Sequence, residues 1–129
     1  MFDKYILVDG SLRSTADGFS FDVMLGYYRG LGLSMIEDLV VSVDGQAVPR
    51  DAILFDEGKG PIALCDMEHA YDRRWPFGSK ATIMVQCPQP LAAGDHHLSL
   101  KEVLRISYLP FPLVAEDSKT LTLAPTLAA

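Results

Sequence analysis

Apolar side chains recur at every second position along much of this chain, and this period of two is what most constrains the fold. In residues 19–28, FSFDVMLGYY, one alternating set consists of Phe19, Phe21, Val23, Leu25 and Tyr27. Residues 39–44, LVVSVD, repeat the pattern. A period of two places alternate side chains on opposite faces of a β-strand. We therefore predict strands that each turn one face toward a core.

Turn residues divide the chain into several such strands. Asp44 and Gly45 predict a tight hairpin with a returning arm near residues 47–50. Residues 64–72 have a short helical turn, which Pro76 ends. Short strands without recurring helices between them predict an all-β fold, an antiparallel β-sandwich of immunoglobulin or jelly-roll type, formed by one domain over residues 1–129. Further strands are predicted at residues 4–8, 52–55, 81–87, 97–109 and 119–123.

Glu102 interrupts the alternation of the longest predicted strand. It occupies the same register as Leu98, Leu100 and Leu104, all of which are apolar. Either a β-bulge shifts the register there, or the carboxylate points inward and requires a partner. We expect the bulge, because burying a charge without a partner is costly.

Length, charge and cysteine content exclude several classes of function. The chain has 129 residues and a formal net charge of −6, which argues against binding to a nucleic-acid backbone. Its apolar runs are shorter than the roughly 20 residues of a membrane helix, and its first residues do not resemble a secretory signal, so we expect a cytoplasmic protein that binds no membrane. Cys65 and Cys87 are expected to be small buried thiols and not a disulfide.

The residue types that carry out chemistry do not form a self-contained active site. A G-x-S-x-G nucleophile motif is lacking, and the adjacent His96 and His97 would face opposite sides of a strand. The stretch from Cys65 to His69 groups two acids with a thiol and an imidazole, but no motif supplies a third and fourth zinc ligand. We therefore predict no catalytic, cofactor-binding or metal-binding residue in this chain.

The connection YYRGLGLSMIED, residues 27–38, is unusually apolar and aromatic for a link between two strands. Tyr28, Arg29, Leu33 and Met35, together with the distant Trp75, are residue types enriched at protein interfaces. The alternative is that they cap an open end of the sandwich, as Tyr27 does if it continues the inward register. A large exposed apolar patch would be a liability on a monomer. We predict that the connection is a docking surface.

Several stretches of this sequence, including residues 27–38, resemble the small (beta) subunit of the C-glycoside deglycosidases. The most specific parts are YYRG-x-x-LSMIED in residues 27–38 and RISY in residues 105–108. Residues 72–78, DRRWPFG, and residues 91–100, LAAGDHHLSL, are similar to the same family. The resemblance covers most of the chain, from about Phe19 to Leu123, and is loosest over residues 57–74.

The resemblance implies a heteromeric bacterial enzyme. Its alpha subunit is expected to be an isomerase-like barrel with a divalent metal, Mn²⁺ or similar, and a histidine base. The beta subunit is expected to be a β-sandwich without a catalytic role of its own. The complex would act as a carbon–carbon lyase on a 3-oxo-C-glycoside, such as one with a flavonoid-like aglycone, by base-promoted elimination.

The resemblance assigns no catalytic residue, so our site expectations concern contact with the partner. Arg29, Trp75 and Phe77 are expected at the substrate entrance, where aromatic faces suit an aromatic aglycone. One alternative is a stand-alone carbohydrate-binding or protein-interaction module, in which Trp75, Tyr71 and Tyr108 could form a sugar platform. Another is a metalloenzyme using the cluster from Cys65 to His69. The residues expected at the subunit interface are Tyr28, Arg29, Leu33, Met35, Glu37 and Trp75.

Overall fold

Two antiparallel sheets account for most of the structure, a computed structural model that describes residues 6–8, 10–15, 18–25, 30–76, 79–86, 94–106 and 110–123. In these residues, short 3₁₀ helices lie at Leu33–Met35, Arg50–Ala52 and Leu64–His69. Within the described residues the strands are β1 Arg13–Thr15, β2 Gly18–Met24, β3 Leu31–Gly32, β4 Ile36–Val43, β5 Gln46–Ala47, β6 Ile53–Asp56, β7 Ile62–Ala63, β8 Arg74–Trp75, β9 Lys80–Gln86, β10 Gly94–Leu104 and β11 Leu113–Leu123.

The strands pair across long sequence separations. One sheet has the order β1-β2-β9-β6-β7, the other has the order β11-β10-β4-β5, and β3 pairs with β8 in a two-stranded ribbon. Each of these pairings is antiparallel. The predicted antiparallel β-sandwich class is thereby confirmed.

The alternating apolar positions form the core, as the period of two predicts. Phe19, Phe21 and Val23 of β2 are buried, and so are Leu39 and Val41 of β4. Buried side chains from both large sheets belong to one hydrophobic cluster. Burial of one face of each sheet is the main favourable contribution to folding in such a sandwich.

The predicted Asp44–Gly45 hairpin is present and is anchored to a neighbouring strand. Both residues have positive φ, 51° for Asp44 and 84° for Gly45, as a two-residue turn between antiparallel strands requires. The Asp44 carboxylate accepts a hydrogen bond of 2.9 Å from the backbone N–H of His97 and lies 2.7 Å from Nδ1 of His96. These contacts lower the pKa of Asp44, chiefly through the hydrogen bond with His96.

Two charged side chains of β11 connect the two sheets along one side. The Asp117 carboxylate accepts from the backbone N–H of Leu7 at 2.9 Å, and Nζ of Lys119 donates to the carbonyl of Leu7 at 3.0 Å. Leu7 in turn forms a β-bridge with Val23 of the other sheet. Inward-pointing charges of this kind also protect an edge strand from pairing with other chains.

Several boundaries differ from those predicted. The helical turn expected at residues 64–72 is the 3₁₀ helix Leu64–His69, and the strand expected at 97–109 spans Gly94–Leu104. β11 begins at Leu113, six residues before the predicted start. Cys65, expected to be buried, is an exposed free thiol, because Leu64 and Met67 occupy the inward face of that helix. Cys87 lies outside the described residues.

The bulge expected at Glu102 is elsewhere, and the prediction that it turns this side chain outward is wrong. Glu102 is fully buried and lies opposite Leu39 on β4 and Ala115 on β11. The register shift follows it, between Val103 and Leu104, and the extra residue belongs to β4. The alternation of β10 therefore continues through Glu102 and carries the carboxylate into the core.

No helix among the described residues is long and apolar enough to cross a membrane.

Candidate functional site

Residues 30–37, here named the docking segment, comprise the described end of the apolar connection that follows β2 and the first two residues of β4. The segment contains β3 and the 3₁₀ helix Leu33–Met35. β3 pairs with β8, which places Leu31 opposite Trp75 and Gly32 opposite Arg74. The docking segment is thus held by residues more than 40 positions later in the chain.

Hydrogen bonds extend this attachment on both sides of the ribbon. The backbone N–H of Leu33 donates to the carbonyl of Arg73 at 2.9 Å. Nη2 of Arg74 donates to the carbonyl of Gly30 at 3.2 Å. Further along, the backbone N–H of Arg105 donates to the carbonyl of Met35 at 2.7 Å. The backbone of the docking segment is therefore fixed at its start, its middle and its end.

Trp75 is fully buried, which corrects the expectation that it lies on the surface. Its ring packs edge-on against Phe55, with 5.1 Å between the ring centroids, and its Nε1–H donates to the carbonyl of Ser79 at 2.8 Å. The pairing of β8 with β3 turns the indole inward, and the hydrogen bond satisfies its polar atom there. In this conformation Trp75 is accessible neither to a partner nor to a substrate.

Leu33 requires the same correction, because its side chain is also fully buried. Met35 is partly buried and packs against the core, whereas Glu37 is exposed. Tyr28, Arg29 and Phe77 lie outside the described residues, and their expected contacts stay predictions. The docking segment therefore directs Leu33 inward and leaves the side chains of Ser34, Met35 and Glu37 at least partly open to solvent.

A cleft of about 290 Å³ lies beside the docking segment. Arg50 closes one side of it through bonds of 2.8 Å to the Asp38 carboxylate and 3.1 Å to the carbonyl of Glu37. The charges around the cleft are mixed, which suits polar contact with a protein better than binding of a highly charged ligand. Its lining residues are Ser34, Ile36, Glu37, Arg50, Leu64, Cys65, Glu68 and Arg105.

An ion pair between Glu57 and Arg73 lies next to the ribbon of β3 and β8, because Arg73 directly precedes β8. Nε of Arg73 donates to Oε2 of Glu57 at 2.9 Å, and Nη2 contacts Oε1 of the same carboxylate. Only 16% of the Arg73 side chain and 3% of the Glu57 side chain are exposed. The hydrogen bond from Arg73 holds the pKa of Glu57 below its ordinary value, and the same bond raises the pKa of Arg73.

The geometry does not favour the two alternative functions derived from the sequence. Trp75 is buried and cannot form a sugar platform with Tyr71, which is 76% exposed, and Tyr108 lies outside the described residues. Cys65, Asp66, Glu68 and His69 are all exposed. Across the part of the chain that the structure describes, no three metal-ligating side chains are grouped closely enough to hold an ion.

Two further features of the structure were not predicted from the sequence. The outer face of β4, β10 and β11 has a shallow depression of about 470 Å³, beside which Val40 and Val114 are exposed. The sequence contained a signal for this partly apolar outer face, because Leu39, Val40 and Val41 place apolar side chains on both faces of β4. The Glu57–Arg73 pair was also missed, because its members are 16 residues apart and no local pattern links them.

Comparisons with known proteins give the same relationship as the resemblance in residues 27–38. The family model for the C-glycoside deglycosidase beta subunit matches residues 2–108. The 3′-dehydrocarminate deglycosidase beta subunit of Microbacterium sp. is 34% identical over 110 residues, which are 85% of this chain and 83% of that protein. The C-glycoside deglycosidase beta subunit of Eubacterium cellulosolvens is 32% identical over 99 residues, 77% of this chain and 67% of that protein.

A more distant relative extends the comparison to a third genus. The C-glycoside deglycosidase beta subunit of Arthrobacter globiformis is 22% identical over 102 residues, 78% of this chain and 77% of that protein. The family match covers the docking segment and the strands β1 to β10, and ends before β11. This chain therefore belongs to the C-glycoside deglycosidase beta subunit family.

Proposed function

We propose that this chain is the accessory subunit of a heteromeric C-glycoside deglycosidase, and that it docks on an isomerase-like barrel alpha subunit. The family match over residues 2–108 is the observation that carries the proposal. The relatives are themselves named beta subunits, a name that implies a partner subunit. The proposal places the complex in the cytoplasm.

The proposed reaction is cleavage of the carbon–carbon bond between an aglycone and a 3-oxo sugar. The name of the Microbacterium relative describes a 3′-dehydro compound as its substrate, which supports a ketone on the sugar here. A ketone acidifies the neighbouring C2–H, so a general base can remove that proton. Elimination then expels the aglycone, flavonoid-like in our proposal, which makes the enzyme a lyase.

The proposal assigns the base and a divalent metal, Mn²⁺ or similar, to the alpha subunit. The metal would supply Lewis-acid stabilisation of the enolate there. The described residues of this chain do not group ligands that fit such an ion. The role of this chain in the proposal is to bind and stabilise the alpha subunit.

The docking segment supports that role because its backbone is fixed while part of its surface is open. Met35 and Glu37 are the described side chains that we expect to contact the alpha subunit, together with Tyr28 and Arg29. A surface already ordered before association loses less conformational entropy on binding. Phe77 and Arg29 are proposed to line the substrate entrance, and Arg29 to reach a carboxylate or a substrate oxygen.

Co-expression tests the proposed assembly directly. The neighbouring reading frames are searched for an isomerase-like barrel protein, and this candidate alpha subunit is produced together with the chain and each protein is also produced alone. We expect the two proteins to co-elute from a gel-filtration column at a mass above that of either protein by itself. Separate elution of two well-folded proteins at micromolar concentration would reject the proposal.

A further inference from the structure

We propose that Glu57 and Arg73 form a positioning pair that sets the placement of the docking segment. This inference rests on the proposed function, because it assigns the pair a role in binding the alpha subunit. Neither residue needs to touch the partner. The pair would hold the backbone of Arg73 in place, and this backbone in turn would set the positions of Met35 and Glu37.

The first step is the attachment of Arg73 to the loop that follows β6. Its guanidinium contacts both oxygens of Glu57, and Nη2 also donates to the carbonyl of Gly60 at 2.6 Å. That loop is itself closed by Asp56, whose Oδ1 accepts from the N–H groups of Gly58 at 2.7 Å and Gly60 at 3.0 Å. Glu57 and Gly60 therefore lie in a loop that is also closed by hydrogen bonds that do not involve Arg73.

The second step runs from the Arg73 side chain to the docking segment. The carbonyl of Arg73 accepts from the N–H of Leu33, the first residue of the 3₁₀ helix that carries Met35. The next two residues form β8, which pairs with β3. A shift of the Arg73 backbone would therefore move both hydrogen-bonding contacts of the docking segment together.

The side chains of both members of the pair are largely buried. Removing one member leaves the other charge without its partner in a site that water hardly reaches, which is far more costly than losing an exposed ion pair. Arg13 and Asp22 provide a comparison within the same chain. Their ion pair has a separation of 3.1 Å, and 51% and 22% of the two side chains are exposed.

The pair lies outside the ladders that hold the two large sheets together. Glu57 follows the end of β6, and Arg73 precedes β8. The pairing of β4 with β10 and of β2 with β9 uses neither residue. We therefore expect its loss to change the docking segment more than the global stability of the sandwich.

The test compares four variants for binding to the purified isomerase-like alpha subunit. They are Arg73→Gln, Glu57→Gln, the double variant with both changes, and the control Arg13→Gln. The dissociation constant is measured by titration, and the melting temperature of each isolated variant is measured alongside. Trp75, the sole tryptophan of the chain, reports on the ribbon through its fluorescence emission.

We expect Arg73→Gln to weaken binding at least about tenfold and to shift Trp75 emission to longer wavelength, while Arg13→Gln changes neither. The double variant should bind more tightly than Arg73→Gln, because it leaves no unpaired buried carboxylate. Such recovery would not follow from two independent structural roles. If Arg73→Gln does not fold, Glu57→Gln decides the question, since its amide preserves the shape and one acceptor.

The inference is overturned if the wild-type chain binds and both single variants bind within about twofold of it. It is also overturned if Arg13→Gln weakens binding as much as Arg73→Gln does. Failure of the proposed function is a different result, namely that the wild-type chain itself does not bind the alpha subunit. In that case the positioning role falls with it.

Discussion

Gly30 illustrates how closely the ribbon of β3 and β8 is packed. A Cβ atom at this position would lie 3.2 Å from the Cα of Pro76 and 3.2 Å from the carbonyl oxygen of Trp75. Both are backbone atoms and cannot move independently of β8. The same addition at Gly32 would meet nothing nearer than 3.8 Å. The two glycines are a matched pair for testing the packing.

We expect Gly30→Ala to destabilise the chain by about 1 kcal/mol or more, because an overpacked site typically costs roughly 1–3 kcal/mol. Gly32→Ala should be neutral or stabilising by up to about 1 kcal/mol, since alanine restricts the unfolded chain. Urea denaturation of both variants measures the difference. Equal stability of the two would show that the ribbon is not packed as described.

Asp44 gives a prediction about pH. Its pKa is lowered in the folded chain by the hydrogen bond with His96 and by the backbone N–H of His97. A carboxyl group whose folded pKa is depressed contributes stability above its unfolded pKa, near 4, and loses that contribution as the pH falls through the folded pKa. Asn tolerates positive φ as Asp does, so Asp44→Asn preserves the turn.

The melting temperatures of the wild-type chain and Asp44→Asn should therefore differ above about pH 5, where the Asp44 carboxylate is ionised in both the folded and the unfolded chain. We expect the wild-type chain to be the more stable there, and the difference to shrink as the pH is lowered below about 4. Other carboxylates titrate in both proteins and cancel in this comparison. A difference that stays constant from pH 7 to pH 3 would contradict the role given to Asp44.

At the scale of elements, the docking segment is an ordered connection whose exposed side chains are available for binding. Leu33 and Trp75 fix it from within, and the interface expectation now rests on Tyr28, Arg29, Met35 and Glu37. These residues need not have the same function. Two of them, Tyr28 and Arg29, are adjacent in sequence and were expected to play different roles.

Substituting them separately distinguishes assembly from chemistry. We expect Tyr28→Ala to reduce co-elution with the alpha subunit, because a large aromatic side chain at an interface often carries about 2 kcal/mol or more of the binding free energy. Arg29→Ala should reduce turnover in the assembled complex if its guanidinium reaches the substrate. Gel filtration and an aglycone-release assay measure the two effects. Full assembly and full turnover of both variants would remove these residues from the site.

The elements also show what the sequence could and could not predict. The inward faces of β2 and β4 and the Asp44–Gly45 turn follow from local patterns, since a period of two and a turn dipeptide act over a few residues. The residue type of Trp75 predicts a place at an interface, but its burial depends on the pairing of β8 with β3, and two-residue strands have no periodicity that would indicate this. Glu102 was placed at a bulge because a buried carboxylate is rare, although β10 carries it inward.

On the scale of the whole molecule, the same limit applies to the candidate site. The motif in residues 27–38, together with RISY in residues 105–108, indicated the family because both patterns are specific. Apart from Arg105, the residues described as holding this motif in place come from residues 57–75, and the resemblance is loosest over residues 57–74. Their contribution depends on pairing across more than 40 positions, and no property of the individual residues reveals such pairing in advance.

We propose that this chain is the accessory subunit of an enzyme and that a second protein, the alpha subunit, carries out the catalysis. The most direct measurement is the release of aglycone from a 3-oxo-C-glycoside as increasing amounts of this chain are added to a fixed amount of the alpha subunit. We predict negligible release by this chain alone and a rate that rises with added chain until it saturates. Turnover by the isolated chain, or a rate of the alpha subunit that its addition leaves unchanged, would contradict the account.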